Sequence, residues 1–276
     1  MPEPVYFDHL AVGVRSWPDG FRRFAAQLGG QWSHGGDAGE FAPCQLMFPP
    51  GINVELIAPG RAGDGFMHRF IDRAGPGPHH ITFKVSSLEA ALEEISALGI
   101  GVLDGHNRHP YWQEAFLHPT ECGIGTLLQL VQSDDAQVMG LARTPPPDTF
   151  PVKPGPAVKT ARSVVWVGLT VESVDRAREL FTGALHGAVA EDGHGWLRIT
   201  WGPGRDLLVR SGDAAPGGAS LWAGRDPGVA HVVFGGGELT VRQLESGDIP
   251  VEPMPFDEAT AVPIWLADDA VGNRVQ

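Results

Sequence analysis

Between Tyr6 and Val14 the chain reads YFDHLAVGV, with Leu10, Val12 and Val14 alternating against His9, Ala11 and Gly13. Successive side chains of a strand point to opposite faces, so this pattern predicts a strand. Leu10, Val12 and Val14 would bury against a helix, leaving His9, Ala11 and Gly13 on an open side. The helix follows Ser16 in DGFRRFAAQLGG, and CQLMF and INVELIA read as further strands. The layout then returns: HHITFKV, the helical SSLEAALEEISALG, EAFLHP and GTLLQLVQ. In its helix Leu88, Leu92, Ile95 and Leu98 form an apolar stripe, and Ser86 with Glu89 has the spacing of a capping box.

The proline-rich segment ARTPPPDTFPVKPGPAVKT, residues 142–160, interrupts this rhythm, because proline fixes φ and removes a backbone donor. Beyond it the layout appears twice more. SVVWVGLTV leads into ESVDRARELFTGALHG, with Val174, Ala177, Leu180, Phe181 and Leu185 as the buried stripe, and then DLLVRS. VAHVVFGG leads into ELTVRQLESG and the closing PIWLADDAVGNRVQ. Internal repetition decides architecture before chemistry does. The expectation is an α+β chain of four βαβββ modules in two pairs: a domain over 1–133, a linker over 134–160 and a second domain over 161–276.

Strand phase also selects chemistry. In HHITFKV, Ile81, Phe83 and Val85 take the helix side, which leaves His80, Thr82 and Lys84 on the open side and turns His79 away. In NVELIA the apolar phase Val54, Leu56 and Ala58 puts Glu55 opposite. In TLLQLVQ, Leu128 and Leu130 put Gln129 opposite. His9 and His80 occupy matching places in the first two modules, as do Glu55 and Gln129. Two modules closing around a shared cup would bring all four to one point. Two imidazoles, a carboxylate and an amide oxygen suit Zn, Mn, Fe, Co or Ni as a divalent ion, with positions left for water or substrate.

Composition narrows the function classes. The net charge of −13 repels phosphate backbones and anionic membranes, and no basic patch offsets it, so nucleic acid and membrane are excluded as partners. No apolar run approaches the roughly 20 residues of a membrane helix, and Met1 to His9 lacks a signal-peptide layout; a cytoplasmic location is expected. The two cysteines, Cys44 and Cys122, sit in no redox or hydrolase motif and read as packing thiols. A small-molecule substrate remains the expected partner, for a monomeric pseudo-dimer or a homodimer.

FDHLAVGV, VELIAP, GPHHITFKV and above all EAFLHP followed by GIGTLLQLVQ resemble the vicinal oxygen chelate superfamily of glyoxalases, bleomycin-resistance proteins and dioxygenases, closest to its epimerase branch. The resemblance implies two glyoxalase-like barrels. It also implies a divalent metal on His9, Glu55, His80 and Gln129, and an enolate-like intermediate, as in epimerases, isomerases and lyases. The epimerase pattern carries Gln at the second place and Glu at the fourth; here the two are exchanged. A coordinated amide is no base, so proton transfer would pass to Glu55, or to Glu40, which lies roughly where epimerases carry a second acid. Lys84 would pair with an anionic substrate. His106, His109, Tyr111 and Trp112, in DGHNRHPYWQEAF, would cover the cup and contact substrate. In the second pair Trp166 replaces His9, Leu207 or Leu208 stands at the second place, and only His231 and Gln276 remain, which reads as a degenerate copy. Other members imply two alternatives: a non-haem iron dioxygenase, or a binding or resistance protein without chemistry.

Overall fold

The computed structural model describes residues 5–103, 108–141, 145–151, 163–212, 226–235, 252–253 and 259–263. Two sheets and a few short helices organise them. The first sheet takes β1 (Tyr6–Gly13), β2 (Gln31–Gly35), β3 (Phe41–Met47), β4 (Asn53–Pro59), β5 (Gly77–Lys84), β6 (Arg108–His109), β7 (Trp112–Leu117) and β8 (Leu127–Ser133). Their order is β2-β3-β4-β1-β5-β8-β7-β6. Each half of that order repeats one rule: the first strand of a module lies beside its last, with the others stepping out to the edge.

The second sheet holds β9 (Ser163–Thr170), β10 (Ala188–Gly193), β11 (Trp196–Thr200), β12 (Asp206–Arg210), β13 (Gly228–Gly235), β14 (Glu252–Pro253) and β15 (Ala259–Pro263), in the order β10-β11-β12-β9-β13-β15-β14. The same rule holds, so the architecture is α+β with four repeated modules in two sheets. The helical segment expected in the fourth module, ELTVRQLESG, and Gln276 lie outside the described residues.

The helices confirm the repeat and correct its details. α1 (Trp17–Phe21) runs on into a π-helical segment, Arg22–Gln27; in the third module α6 (Val174–Arg178) runs on into another, Glu179–Ala184. A helix not foreseen from the pattern, α2 (Phe66–Ala74), follows β4. In α3 (Leu88–Ala97) the cap is Ser87, not Ser86: its hydroxyl accepts from the Ala90 N–H at 3.2 Å, which moves the helix start one residue on. Gln132 on β8 satisfies a second of the unpaired amides, accepting from the Leu88 N–H at 2.8 Å. The buried face is Leu88, Ala91 and Ile95, packed towards β7 and β8. α4 (Pro119–Cys122) closes on Gly123, whose φ of 70° suits glycine. The stretch expected as linker opens with α5 (Asp135–Leu141). No helix among the described residues is long and apolar enough to cross a membrane.

By contact the chain sorts into two compact units. One comprises Met1–His9, His80–Leu141 and Val165–His231. Its core includes Phe7 stacked on Phe83 at 5.1 Å and Trp201 edge-on to Phe83 at 4.8 Å, with Phe181 alongside. Gly125, at φ 68°, lies so close to Pro227 that a Cβ would overlap the Pro227 carbonyl. The other comprises Leu10–His79, Ala142–Val164 and Val232–Gln276. There Ala11, Ile57, Met67 and Ile71 form a buried cluster under α2, and Phe150 of the proline-rich segment meets Phe21 edge-on at 4.9 Å.

Candidate metal centre

Three adjacent strands of the first sheet, β4, β1 and β5, present Glu55, His9 and His80. One ligand atom from each lies within 4.8 Å of the others, with both histidines buried and Glu55 half-buried. Donors around a first-row divalent ion, each about 2.1 Å from it, stand about 3 to 3.5 Å apart. A small side-chain adjustment therefore brings the trio onto a shared ion, and the donor set of two imidazoles and one carboxylate fits such an ion.

The surrounding polar groups orient these donors. The Asp8 carboxylate meets His9 Nδ1 at 2.8 Å, which directs Nε2 into the site. Burial would raise the Asp8 pKa, but the hydrogen bond and charge of His9, with Lys84 and Arg205, hold it below the usual carboxylate value. The Thr82 hydroxyl, fully buried, lies 2.9 Å from His9 Nε2 and donates to Gln129 Oε1 at 2.6 Å. Gln129 Nε2 in turn donates to Glu114 Oε2 at 2.7 Å, and the Trp112 indole donates to the same oxygen at 2.9 Å. Opposite Glu55 on the antiparallel β3, Gln45 donates to its Oε1 at 3.2 Å. Gln129 thus stands one hydroxyl away from His9, on β8 in register with Thr82.

Strict alternation breaks at Asp8. It sends Asp8 to the helix side, yet Asp8 reaches His9 and lies 3.9 Å from Lys84. His79 packs edge-on to Phe70 of α2 at 4.8 Å, near Phe66. Burial pulls its pKa down to about 4, and the Glu55 charge opposes that only in part. His79 thus packs on α2 and is not one of the three clustered donors, although the Glu55 charge reaches its ring.

Several expected substrate or acid residues are engaged elsewhere. Lys84 pairs with Asp135 as well as Asp8. Burial would lower its pKa, but these carboxylates hold it above the usual value. Glu40 is exposed, and its Oε2 accepts from the Phe66 N–H at the first residue of α2 at 3.3 Å, a helix-end role outside the trio. His109 and Tyr111 are exposed at the β6–β7 turn with rings 5.5 Å apart, whereas Trp112 is half-buried on Glu114. His106 lies outside the described residues. Both thiols are buried; Cys122 is pushed up to about 12 and Cys44 is likewise raised, so neither is a nucleophile at neutral pH.

Residues 8–116 match the family model of the Glyoxalase/Bleomycin resistance protein/Dioxygenase superfamily. That stretch is thus similar to a glyoxalase-type domain. Over 128 residues it is 29% identical to the uncharacterized protein YqjC of Bacillus subtilis, covering 45% of this chain and 90% of YqjC. The methylmalonyl-CoA epimerase of Mycobacterium tuberculosis superposes with a TM-score of 0.43 at 22% identity, over 48% of this chain and 91% of the epimerase. A triple-substitution variant of 4-hydroxymandelate synthase from Streptomyces coelicolor covers 92% of this chain and 78% of its own, with a TM-score of 0.60 at 15% identity. That likeness is one of fold.

Outside the matched residues 8–116 the second sheet presents different groups. Trp166, Arg210 and His231 are buried, and β12 runs parallel to β9 with Leu208 beside Gly168 and Arg210 beside Thr170. A cavity of about 540 Å³ in the unit formed by 10–79, 142–164 and 232–276 is lined by Arg15, Trp17, Trp32, Asp37 and Pro147 among others, and contains none of the four expected ligands.

Proposed function

We propose that the protein is a divalent-metal-dependent enzyme whose residues 1–133 bind oxygens of a small substrate and move a proton beside a carbonyl, a reaction of epimerase, isomerase or lyase type. The observation that carries this is the convergence of His9, Glu55 and His80 within 4.8 Å, beside Gln129. A bound divalent ion supplies a Lewis acid that polarises a carbonyl oxygen and makes the neighbouring C–H more acidic. Everything else falls to this chain's side chains. Asp8 fixes the His9 ring through Nδ1, Gln45 orients the Glu55 carboxylate, and Glu55 accepts the proton that an amide at position 129 cannot take. Residues 161–276 form a second domain of the same layout, joined through the proline-rich segment, whose described residues at the matching places include Trp166, Leu208 and His231 in place of the full donor set.

Metal analysis of protein purified without chelator, followed by a deuterium-exchange screen on small α-acidic acyl compounds, tests the reading. Stoichiometric metal together with exchange that is lost on chelation supports it. Protein free of metal, which also fails to bind added Zn, Mn, Co, Ni or Fe, overturns it. A second reading, an iron-dependent dioxygenase, is favoured by the donor set itself, since two histidines and one carboxylate suit Fe(II) with open positions. Oxygen uptake dependent on Fe(II) and substrate, without proton exchange, selects that alternative.

A further inference from the structure

We infer that Glu114 is a positioning residue for the fourth place of the site: with Trp112 it turns the Gln129 amide so that oxygen, not nitrogen, faces Thr82 and the metal cluster. The two ends of an amide have nearly the same shape, so only their partners decide which way it points. An ionised carboxylate accepts and cannot donate, so the atom 2.7 Å from Glu114 Oε2 is the Gln129 Nε2 donor. The Trp112 indole, a donor only, holds the same carboxylate oxygen at 2.9 Å. The amide oxygen is then left to accept from Thr82 at 2.6 Å, one hydroxyl from His9 Nε2.

The strands dictate this geometry. β7 and β8 pair antiparallel with Phe116 opposite Gln129 and Glu114 opposite Val131, so Glu114 is the diagonal neighbour of Gln129 on the same face. Gln129 is 5% exposed, so water offers little compensation for a wrong orientation. A flipped amide would set two acceptors 2.7 Å apart and aim N–H groups at the hydroxyl and imidazole, leaving no oxygen for a cation. The negative charge missing at position 129 is accordingly held one hydrogen bond behind it.

The metal consequence rests on the proposed function, but the orientation does not, and the test separates them. In metal-free protein labelled with ¹⁵N, the Gln129 side-chain amide should exchange slowly with solvent. Glu114→Leu should speed that exchange at least about tenfold, whereas Glu114→Gln, which keeps an acceptor oxygen, should restore most of the protection. For Co(II), Glu114→Leu should lower affinity about tenfold, within the range for outer-sphere partners of metal sites, and alter the visible ligand-field bands; Glu114→Gln should do neither by more than about threefold. Unchanged amide exchange in Glu114→Leu overturns the inference, whatever cobalt does. If wild-type protein binds no cobalt, the metal reading fails while the exchange comparison still decides the orientation. Should Glu114→Leu not fold, Trp112→Phe, which frees the carboxylate from one of its two donors, is read by the same two measurements.

Discussion

The two sheets follow one strand order and carry different chemistry at matching places. In the first, β1 and β5 present His9 and His80, with Glu55 on the neighbouring β4. In the second, the matching strands β9 and β13 present Trp166 and His231, and β12 presents Leu208 and Arg210. His231 is fully buried, and its ring lies so close to Gly168 that a Cβ there would overlap it. Topology therefore fixes where side chains from different modules meet, while the residue types decide whether the meeting point can hold a cation. A carboxylate and two imidazoles can; an indole, a leucine and one imidazole packed on backbone cannot.

The largest expected effect breaks the comparison at its centre. His80→Ala should lower Zn or Co affinity at least about 100-fold, since it removes one of three strong donors, and should abolish exchange activity. His231→Ala, its counterpart, should leave metal content within twofold of wild type. Elemental analysis and competition with a chromophoric chelator read both. Equal losses in the two variants would show that the metal depends on both sheets.

Next comes Glu55, where ligand and base roles separate. Glu55→Gln should weaken metal binding and remain inactive in proton exchange even at saturating metal. Recovery of activity at high metal would reduce Glu55 to a supplier of negative charge. The double variant Glu55→Gln with Gln129→Glu keeps the net charge and moves the carboxylate to the fourth place. It also sets a new carboxylate beside Glu114, across what is now a 2.7 Å hydrogen bond. Its activity should therefore improve when Glu114→Gln is added, by restoring a donor to the pair.

A smaller effect lies one contact further out. Asp8→Asn keeps the shape but gives up the charge that supports His9 Nδ1–H, and metal affinity should fall about tenfold. Glu40→Gln, at the exposed start of α2, should change it by less than twofold. A tenfold loss in Glu40→Gln would return that residue to the site.

How much of this was legible follows from the physics of each feature. His9, Glu55 and His80 could be read because period-two alternation and a fourfold repeat constrain the same positions independently. Asp8 could not, because alternation describes a regular strand, and its side chain departs from it towards His9 and Lys84. Glu114 was hidden for another reason. Its partner is diagonal across β7 and β8, and register between strands is set by turns and packing that a sequence does not display. α2 did leave a signal, since Phe66, Met67, Phe70 and Ile71 fall at helical spacing, but glycines on both sides masked it as a turn. Ser86 and Ser87 are adjacent, so the helix start could be placed only to within a residue.

The last comparison concerns acid. His79 precedes His80 on β5, while Ala230 precedes His231 on β13, so the first sheet carries a titratable group where the second has none. Burial depresses His79 to about 4, against about 6.5 for an unfolded-chain histidine. Between those values the unfolded chain binds a proton that the folded chain does not, so stability rises with pH. The contribution is fully present above about pH 6.5 and is lost as pH falls towards 4, with a slope of at most about 1.4 kcal/mol per pH unit and less where solvent screens the ring. Urea unfolding of chelator-treated protein, repeated from pH 7 to pH 4.5, should show that decline in wild type. His79→Ala, which copies the second sheet, should flatten it even if it lowers stability at pH 7 through lost contact with Phe70. Parallel curves for the two proteins would mean that His79 takes up its proton as readily when folded as when unfolded, and that the acid sensitivity arises from another group.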